Sequence, residues 1–132
     1  MVQEYERNLA NLIKDIRSEF RAPNMKVSIP VSGQPAWRDD VSDRRLKLIG
    51  AQYAVTQHKE NVGNVAAQET RGFVRFYDET NGACNQGYHY NCNAESYFYL
   101  GSVAGQAMSA LLAGTWKQPH INANVVSGSV FV

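Results

Sequence analysis

The sequence predicts an α/β fold in which a short parallel sheet is covered by helices on both faces. Two observations favour this class. Helical stretches alternate with short β-type runs along the chain, in the order helix, strand, helix, strand, long loop and helix. The helical stretches are also amphipathic, as expected of helices that pack on a sheet. Two or three strands would form a narrow sheet.

The first helix is predicted from a single apolar stripe. Apolar residues recur at helical spacing and charged residues fill the other face; the stripe is Tyr5, Leu9, Leu12, Ile13, Ile16 and Phe20, and the charged set is Glu4, Arg7, Lys14, Asp15, Arg17 and Glu19. Pro23 disfavours the helical conformation at the residue before it, so the helix is predicted to end within residues 21–24.

Two strands and a second helix are predicted in the middle of the chain. Residues 26–31 form a short β-type run that ends at Ser32 and Gly33. After a polar loop, Ser42 or Asp43 can cap a helix that extends to about residue 59, with Leu46, Ile49 and Tyr53 facing inward. A weaker strand pattern covers residues 65–70.

The last helix has the clearest boundaries. Asn93 is a suitable N-cap, Glu95 lies in the first turn, and Gly114 follows the last periodic residue. Residues 1–114 are therefore predicted to belong to a single domain. Residues 115–132 have no helical period and are predicted to be a tail or a terminal strand.

Composition and charge exclude several classes of partner. The 132 residues are 44% hydrophobic and 11% aromatic, an ordinary globular mixture that can bury one core. Thirteen basic and 12 acidic residues are interleaved along the chain, giving a net charge of +1 and no basic field for nucleic acid or anionic lipid. No apolar run approaches the roughly 20 residues that cross a bilayer, and the amino terminus is unlike a signal peptide.

His89 is the residue whose setting most suggests chemistry. It lies in a tyrosine-flanked loop, between two cysteines and just before a helix, in the stretch GACNQGYHYNCNAESYFYL. The loop follows a predicted strand, and active groups of such folds lie at the carboxyl ends of strands. His89 is therefore placed like a catalytic base. The chain shows no serine-elbow, zinc-protease, Walker or dinucleotide motif, and Ser32 is the one serine placed as a substitute nucleophile.

Cys84 and Cys92 bracket His89 closely. A disulfide between them would close the loop and would favour an oxidising compartment. Two free thiols of a reduced protein are an equal alternative. The pattern C-x4-H-x2-C offers three potential ligands, whereas a structural zinc site requires four.

Four segments carry a resemblance to a known family. In order along the chain they are EYERNLANLIKDIRSEFRAPNM, KVSIPVSG, GNVAAQETRGF with FYDE, and GYHYNCNAESYFYLGSVAGQAM. Together they resemble the later half of the sialate O-acetylesterase-like domain, which includes acetylxylan esterases of carbohydrate esterase family six and belongs to the SGNH hydrolase superfamily. The resemblance covers residues 4–108, and the segment around His89 is its most specific part.

The resemblance implies a serine esterase with a flavodoxin-like, three-layer αβα fold that removes acetyl groups from carbohydrate hydroxyls. It needs no cofactor. In that family a serine near the start of the domain is the nucleophile, and a histidine near the end is the base; His89 matches the histidine. The serine turn and the oxyanion loops have no counterpart here, so residues 1–114 are expected to be the carboxyl-terminal portion of such an esterase domain, truncated at its amino end. The family also favours a secreted or periplasmic location.

The acid that would orient His89 departs from the family pattern. Many members carry an aspartate three residues before the histidine, where this chain has Gln86. An amide can hydrogen-bond an imidazole but does not offset imidazolium charge. Asp78 is the preferred substitute, followed by Glu79 and then Glu69.

Two functions of different classes follow. In the first, the chain is part of a carbohydrate O-acetylesterase that acts on an acetylated carbohydrate and requires the missing amino-terminal half of the domain as a partner. In the second, it is a noncatalytic α/β module for binding or assembly, which uses residues 101–107 and the aromatic loop as contact surfaces.

Overall fold

The computed structural model describes residues 2–34, 36, 43–76 and 84–119. Three helices and two strands alternate along these segments. Their bounds are α1 Val2–Glu19, β1 Val27–Pro30, α2 Asp43–Ala54, β2 Val65–Gln68 and α3 Ala94–Leu112. Short 3₁₀ turns lie at Val55–Gln57, Arg71–Phe73 and Gly87–Cys92. The predicted order of elements is confirmed.

The two strands pair in parallel, as predicted. Val27 is opposite Val65 and Pro30 is opposite Gln68. The ladder continues past β1, because the Val31 amide donates to the Gln68 carbonyl at 3.0 Å. Both strands therefore end at the same edge of the sheet, and the chain leaves that edge through Ser32 on one side and Glu69 on the other.

The two faces of the sheet are covered by different helices. Alternate strand residues pack with α1 and α2 in the larger core cluster, which comprises Ile13, Ile29, Val31, Ile49, Tyr53, Val55, Val65 and Ala67. On the opposite face, Ala66 packs with Ala107 and Leu111 of α3. This alternation follows from the two-residue period of a strand. The described residues therefore form a mixed α/β structure with a two-stranded parallel sheet between helices.

Two residues of the predicted α1 stripe are exposed to solvent. Leu12 is 53% exposed and Phe20 is 72% exposed, whereas Arg17, predicted for the charged face, is only 7% exposed. Arg17 lies one turn after the buried Ile13, so it shares the inward face. Its guanidinium donates to the Met25 carbonyl at 3.0 and 3.1 Å and to Asn61 Oδ1 at 2.8 Å. These hydrogen bonds offset the free-energy cost of burying the guanidinium. Burial lowers the pKa of Arg17, and the negative charge of Glu60 opposes that shift.

The second helix ends earlier than the predicted residue 59. α2 ends at Ala54 and continues as a 3₁₀ turn through Gln57. The following turn is fixed by Asn61, which is 1% exposed and donates from Nδ2 to the Val55 carbonyl at 2.9 Å. The Asn61 side chain thus accepts a hydrogen bond from Arg17 and donates one to the carboxyl end of the helix. These two bonds favour the early end of the helix.

The boundaries of α3 are confirmed. Asn93 Oδ1 accepts from the Ser96 amide at 2.9 Å, the expected N-cap bond, and Gly114 has a φ of 67° just beyond the carboxyl end. The chain then returns to the sheet: the Gln118 side chain makes two hydrogen bonds with the backbone of Ala67, at 2.9 and 3.0 Å. The rest of the predicted tail, residues 120–132, lies outside the described residues.

No helix among the described segments has the length and apolarity required to cross a membrane.

Candidate functional site at the carboxyl edge of the sheet

Three segments meet where the strands end. Gly33 follows β1, Thr70 follows β2, and Tyr90 belongs to the loop of residues 84–92, here called the histidine loop. The Gly33 amide donates to the Tyr90 hydroxyl at 3.2 Å, and the Thr70 hydroxyl donates to the Val31 carbonyl. The histidine loop is thus attached to the sheet edge where parallel α/β folds bind ligands. Sequence reasoning missed Tyr90 as the anchor, because its contact with Gly33 spans 57 positions.

Gly33 is required at this junction for steric reasons. A Cβ at this position would lie 2.9 Å from Thr70 Oγ1, 3.1 Å from the Thr70 carbonyl oxygen and 3.2 Å from Tyr90 Cε1. Two of these neighbours are a backbone atom and a buried side chain, which have little room to move. Only glycine allows the two strand ends and the histidine loop to approach this closely.

We expect Gly33→Ala to lower the free energy of unfolding by about 1–3 kcal/mol and to displace Tyr90, because the added methyl group overpacks the junction. Gly50→Ala is the matched control. A Cβ at Gly50 meets no atom within 4 Å, and alanine favours the interior of α2, so this variant should gain up to about 1 kcal/mol. Urea denaturation measures both. Equal stability of the two variants would contradict the close approach at Gly33.

A disulfide closes the histidine loop. Cys84 and Cys92 are bonded, with their Cα atoms 5.5 Å apart, so the bridged alternative for this pair is confirmed. Within the ring the Gln86 carbonyl accepts from the His89 amide at 2.8 Å and from the Asn91 amide at 3.0 Å. These bonds and the disulfide give the nine residues one compact conformation.

Three consecutive residues of this loop have left-handed backbone angles. The φ values are 49° for Tyr90, 52° for Asn91 and 54° for Cys92. This region is unfavourable for residues other than glycine, and Asn tolerates it best. Asn91 is 5% exposed, and its Nδ2 donates to the Arg75 carbonyl at 2.8 Å. The surrounding contacts therefore hold a backbone conformation that the sequence alone does not favour.

The imidazole of His89 is exposed at the tip of this loop. Tyr88 stands against it edge to face, with ring centroids 4.6 Å apart, and the Tyr97 hydroxyl donates to the His89 carbonyl at 3.1 Å. Among the described residues no side chain hydrogen-bonds either ring nitrogen. A hydroxyl group from outside the described residues can therefore approach a ring nitrogen within hydrogen-bond distance, which a general base requires.

The contacts described so far do not identify the carboxylate that would orient the His89 imidazole. Asp78 and Glu79, the first two candidates, lie outside the described residues. Gln86 contributes its backbone carbonyl to the loop, as described above. Glu69, the third candidate, gives its carboxylate to Arg71 rather than to His89.

Glu69 and Arg71 form a tight pair beside the strand end. Glu69 Oε1 accepts from Arg71 Nε at 2.8 Å, and Glu69 Oε2 accepts from Arg71 Nη2 at 2.7 Å, a bidentate arrangement. Arg71 is 3% exposed. The Tyr53 hydroxyl donates to Glu69 Oε2 at 3.4 Å, and burial, followed by the charge of Glu69, raises the pKa of Tyr53. This pair braces the edge of the sheet and does not orient the imidazole.

Ser32 lies at the same edge but shows no activation. Its amide donates to Gln52 Oε1 at 2.8 Å, which fixes the chain as it leaves β1. No described base contacts its hydroxyl. Ser32 therefore behaves as a turn residue, and the described residues contain no serine–histidine pair.

Within the described residues, three buried polar side-chain atoms have no hydrogen-bond partner: Gln34 Nε2, Gln68 Nε2 and Ser96 Oγ. Gln34 follows Gly33, Gln68 is the last residue of β2, and Ser96 lies in the first turn of α3. Such atoms are rare in folded proteins, since each leaves a desolvated group unpaired. All three belong to segments next to the carboxyl edge, where further polar groups could satisfy them.

No group of three or more histidine, cysteine and acidic side chains among the described residues could hold a metal ion. The disulfide also removes both cysteines as thiolate ligands. The C-x4-H-x2-C pattern thus closes a loop here instead of forming a zinc site.

Comparison of the chain with family models, with curated proteins and with solved structures found no match.

Proposed function

We propose that this chain is the histidine-bearing part of a carbohydrate O-acetylesterase of the SGNH type, with a flavodoxin-like complete domain. The observation that carries the proposal is the placement of His89: an exposed imidazole on a disulfide-closed loop that is anchored to the carboxyl edge of a parallel sheet. His89 is the general base, and the serine nucleophile comes from a segment outside the described residues. The substrate is an acetyl ester of a carbohydrate hydroxyl.

The chemistry assigns each part a role. The serine hydroxyl attacks the acetyl carbonyl while His89 takes its proton, and the protonated imidazole then gives that proton to the departing sugar oxygen. Water releases acetate from the acyl-enzyme with the same base. A carboxylate stabilises the imidazolium, and Asp78 is our candidate for it. The unpaired donors near the strand ends support a site that other polar groups complete.

The test uses the completed domain, meaning this chain joined to the segment that supplies the serine. The region encoded before Met1 should then contain a strand that ends in Gly-x-Ser. We expect the completed domain to release acetate from acetylated xylan, while the chain alone hydrolyses p-nitrophenyl acetate no faster than its His89→Ala variant. Absence of acetate release by a folded completed domain would refute the proposal.

A noncatalytic binding or assembly module is the second candidate, and the outer face of α3 favours it. No charged residue lies between Phe98 and Leu112, which are 70% and 71% exposed, and Gly101 and Gly105 lie between them. Exposed apolar surface of this kind is typical of contact sites. If the upstream region encodes no nucleophile strand, this candidate is preferred.

A further inference from the structure

We propose that the Cys84–Cys92 disulfide is a redox-sensitive latch that holds His89 in place, so that reduction opens the histidine loop while the core stays folded. The inference rests on the proposed function for its biological meaning, since it describes regulation of the same site. Its structural part stands on the contacts of the loop.

The loop contributes almost nothing to the core. Neither hydrophobic cluster contains a residue of the histidine loop. Residues 85–89 and Cys92 are exposed, and Asn91 is the loop's one buried residue. A segment with so few buried apolar contacts opens at a low free-energy cost compared with the whole domain.

Besides the disulfide, the described contacts that hold the loop closed are backbone hydrogen bonds, among them the two that the Gln86 carbonyl accepts from the His89 and Asn91 amides, and three bonds that involve side chains. Asn91 bonds the Arg75 carbonyl, Tyr90 accepts from Gly33, and Tyr97 bonds the His89 carbonyl. The left-handed backbone conformation of residues 90–92 opposes the closed loop, because it is unfavourable for residues other than glycine. Without the covalent link the loop would also regain conformational entropy. The balance then favours the open loop.

The disulfide is placed for exchange with an external thiol. Cys92 is exposed and Cys84 is half-buried, so a small dithiol can reach the bridge. Cys92 directly precedes Asn93, the N-cap of α3, and the amino end of a helix stabilises a thiolate. Cys92 is therefore the better leaving group.

The exchange is a two-electron reaction. A thiolate of the dithiol bonds to Cys84 Sγ, the Cys84–Cys92 bond breaks, and Cys92 leaves as a thiolate. The second thiol of the dithiol then displaces Cys84, which gives two reduced cysteines and an oxidised, cyclic dithiol. Reoxidation by a disulfide oxidant reverses each step and restores the latch.

Limited proteolysis with chymotrypsin, before and after dithiothreitol treatment, tests the latch. We expect reduction to release two thiols and to raise cleavage after Tyr88 and Tyr90 at least about tenfold, because a protease needs an unfolded segment. Far-UV circular dichroism and cleavage after the buried Tyr53 should not change. A Cys84→Ser, Cys92→Ser variant should match the reduced protein with or without dithiothreitol.

Three outcomes would overturn the latch. In the first, two thiols appear but cleavage in the loop is unchanged, so other contacts hold it. In the second, reduction also destroys the circular dichroism signal, so the bridge supports the whole domain. In the third, no thiols appear, so the bridge resists exchange. If the double variant does not fold, reduction of the unmodified chain still decides among them.

The latch and the esterase proposal fail separately. If the loop opens on reduction but the completed esterase keeps full activity, His89 is not the base, while the latch stands as a structural device. If the loop stays closed and His89→Ala still abolishes acetate release, the esterase proposal stands without this regulation.

Discussion

Replacing His89 by alanine is expected to lower kcat for acetate release by the completed esterase about 10⁴- to 10⁶-fold. Removal of the base leaves the serine hydroxyl protonated and the departing sugar oxygen without an acid, and catalytic histidines of serine hydrolases carry effects of this size. KM should change little, because the imidazole acts on the reacting atoms more than on substrate binding. Initial rates on acetylated xylan measure both constants.

His58→Ala is the matched control for the loss of a histidine. His58 Nε2 lies 2.8 Å from Glu6 Oε1, in a partly exposed contact between α1 and the turn after α2. Its removal should change kcat by no more than about twofold, because a partly exposed contact of this kind contributes little to the free energy of unfolding. A fall in kcat as large for His58→Ala as for His89→Ala would indicate a general folding defect and would contradict the role of His89.

Ile13→Ala is expected to have the largest effect on stability among simple substitutions in α1. Ile13 is 3% exposed and packs with Ile49 and Val65 in the larger core cluster. Truncating a buried isoleucine removes its transfer free energy and leaves a cavity, so the free energy of unfolding should fall by about 2–5 kcal/mol. Urea denaturation followed by circular dichroism gives the value.

The neighbouring residue is the control. Leu12 is 53% exposed, and alanine has a better helix propensity, so Leu12→Ala should change the free energy of unfolding by less than about 0.5 kcal/mol. The two substitutions differ by one position on the same helix. If Leu12→Ala were as destabilising as Ile13→Ala, α1 would pack on the sheet with a different face.

The local patterns could be read from the sequence because their causes are local. A helix stripe, a proline stop, the Asn93 cap and the glycine after α3 depend on residues within a few positions of each other. The order of elements and the parallel pairing followed from them. The unequal burial within α1 could not be predicted from the sequence. The pattern of apolar residues predicted that Leu12 and Phe20 would be buried as well as Ile13.

The position of His89 between two cysteines and before a helix was likewise visible in the sequence. Its surroundings were not. The choice between a disulfide and free thiols, the contact of Tyr90 with Gly33 and the engagement of Glu69 by Arg71 depend on how distant or strained segments are folded together. A carboxylate near a strand end looks available as a triad acid until its guanidinium partner is seen.

Local patterns in the sequence predicted the alternation of helices and strands and pointed to His89 as the candidate base, because propensity, periodicity and capping act over short separations. The packing of distant segments buries Arg17 with Asn61, 44 positions away, and it closes the histidine loop and attaches that loop to the sheet edge. The physical reason is that burial, steric approach and hydrogen-bond satisfaction are properties of packed neighbours, which no single segment specifies.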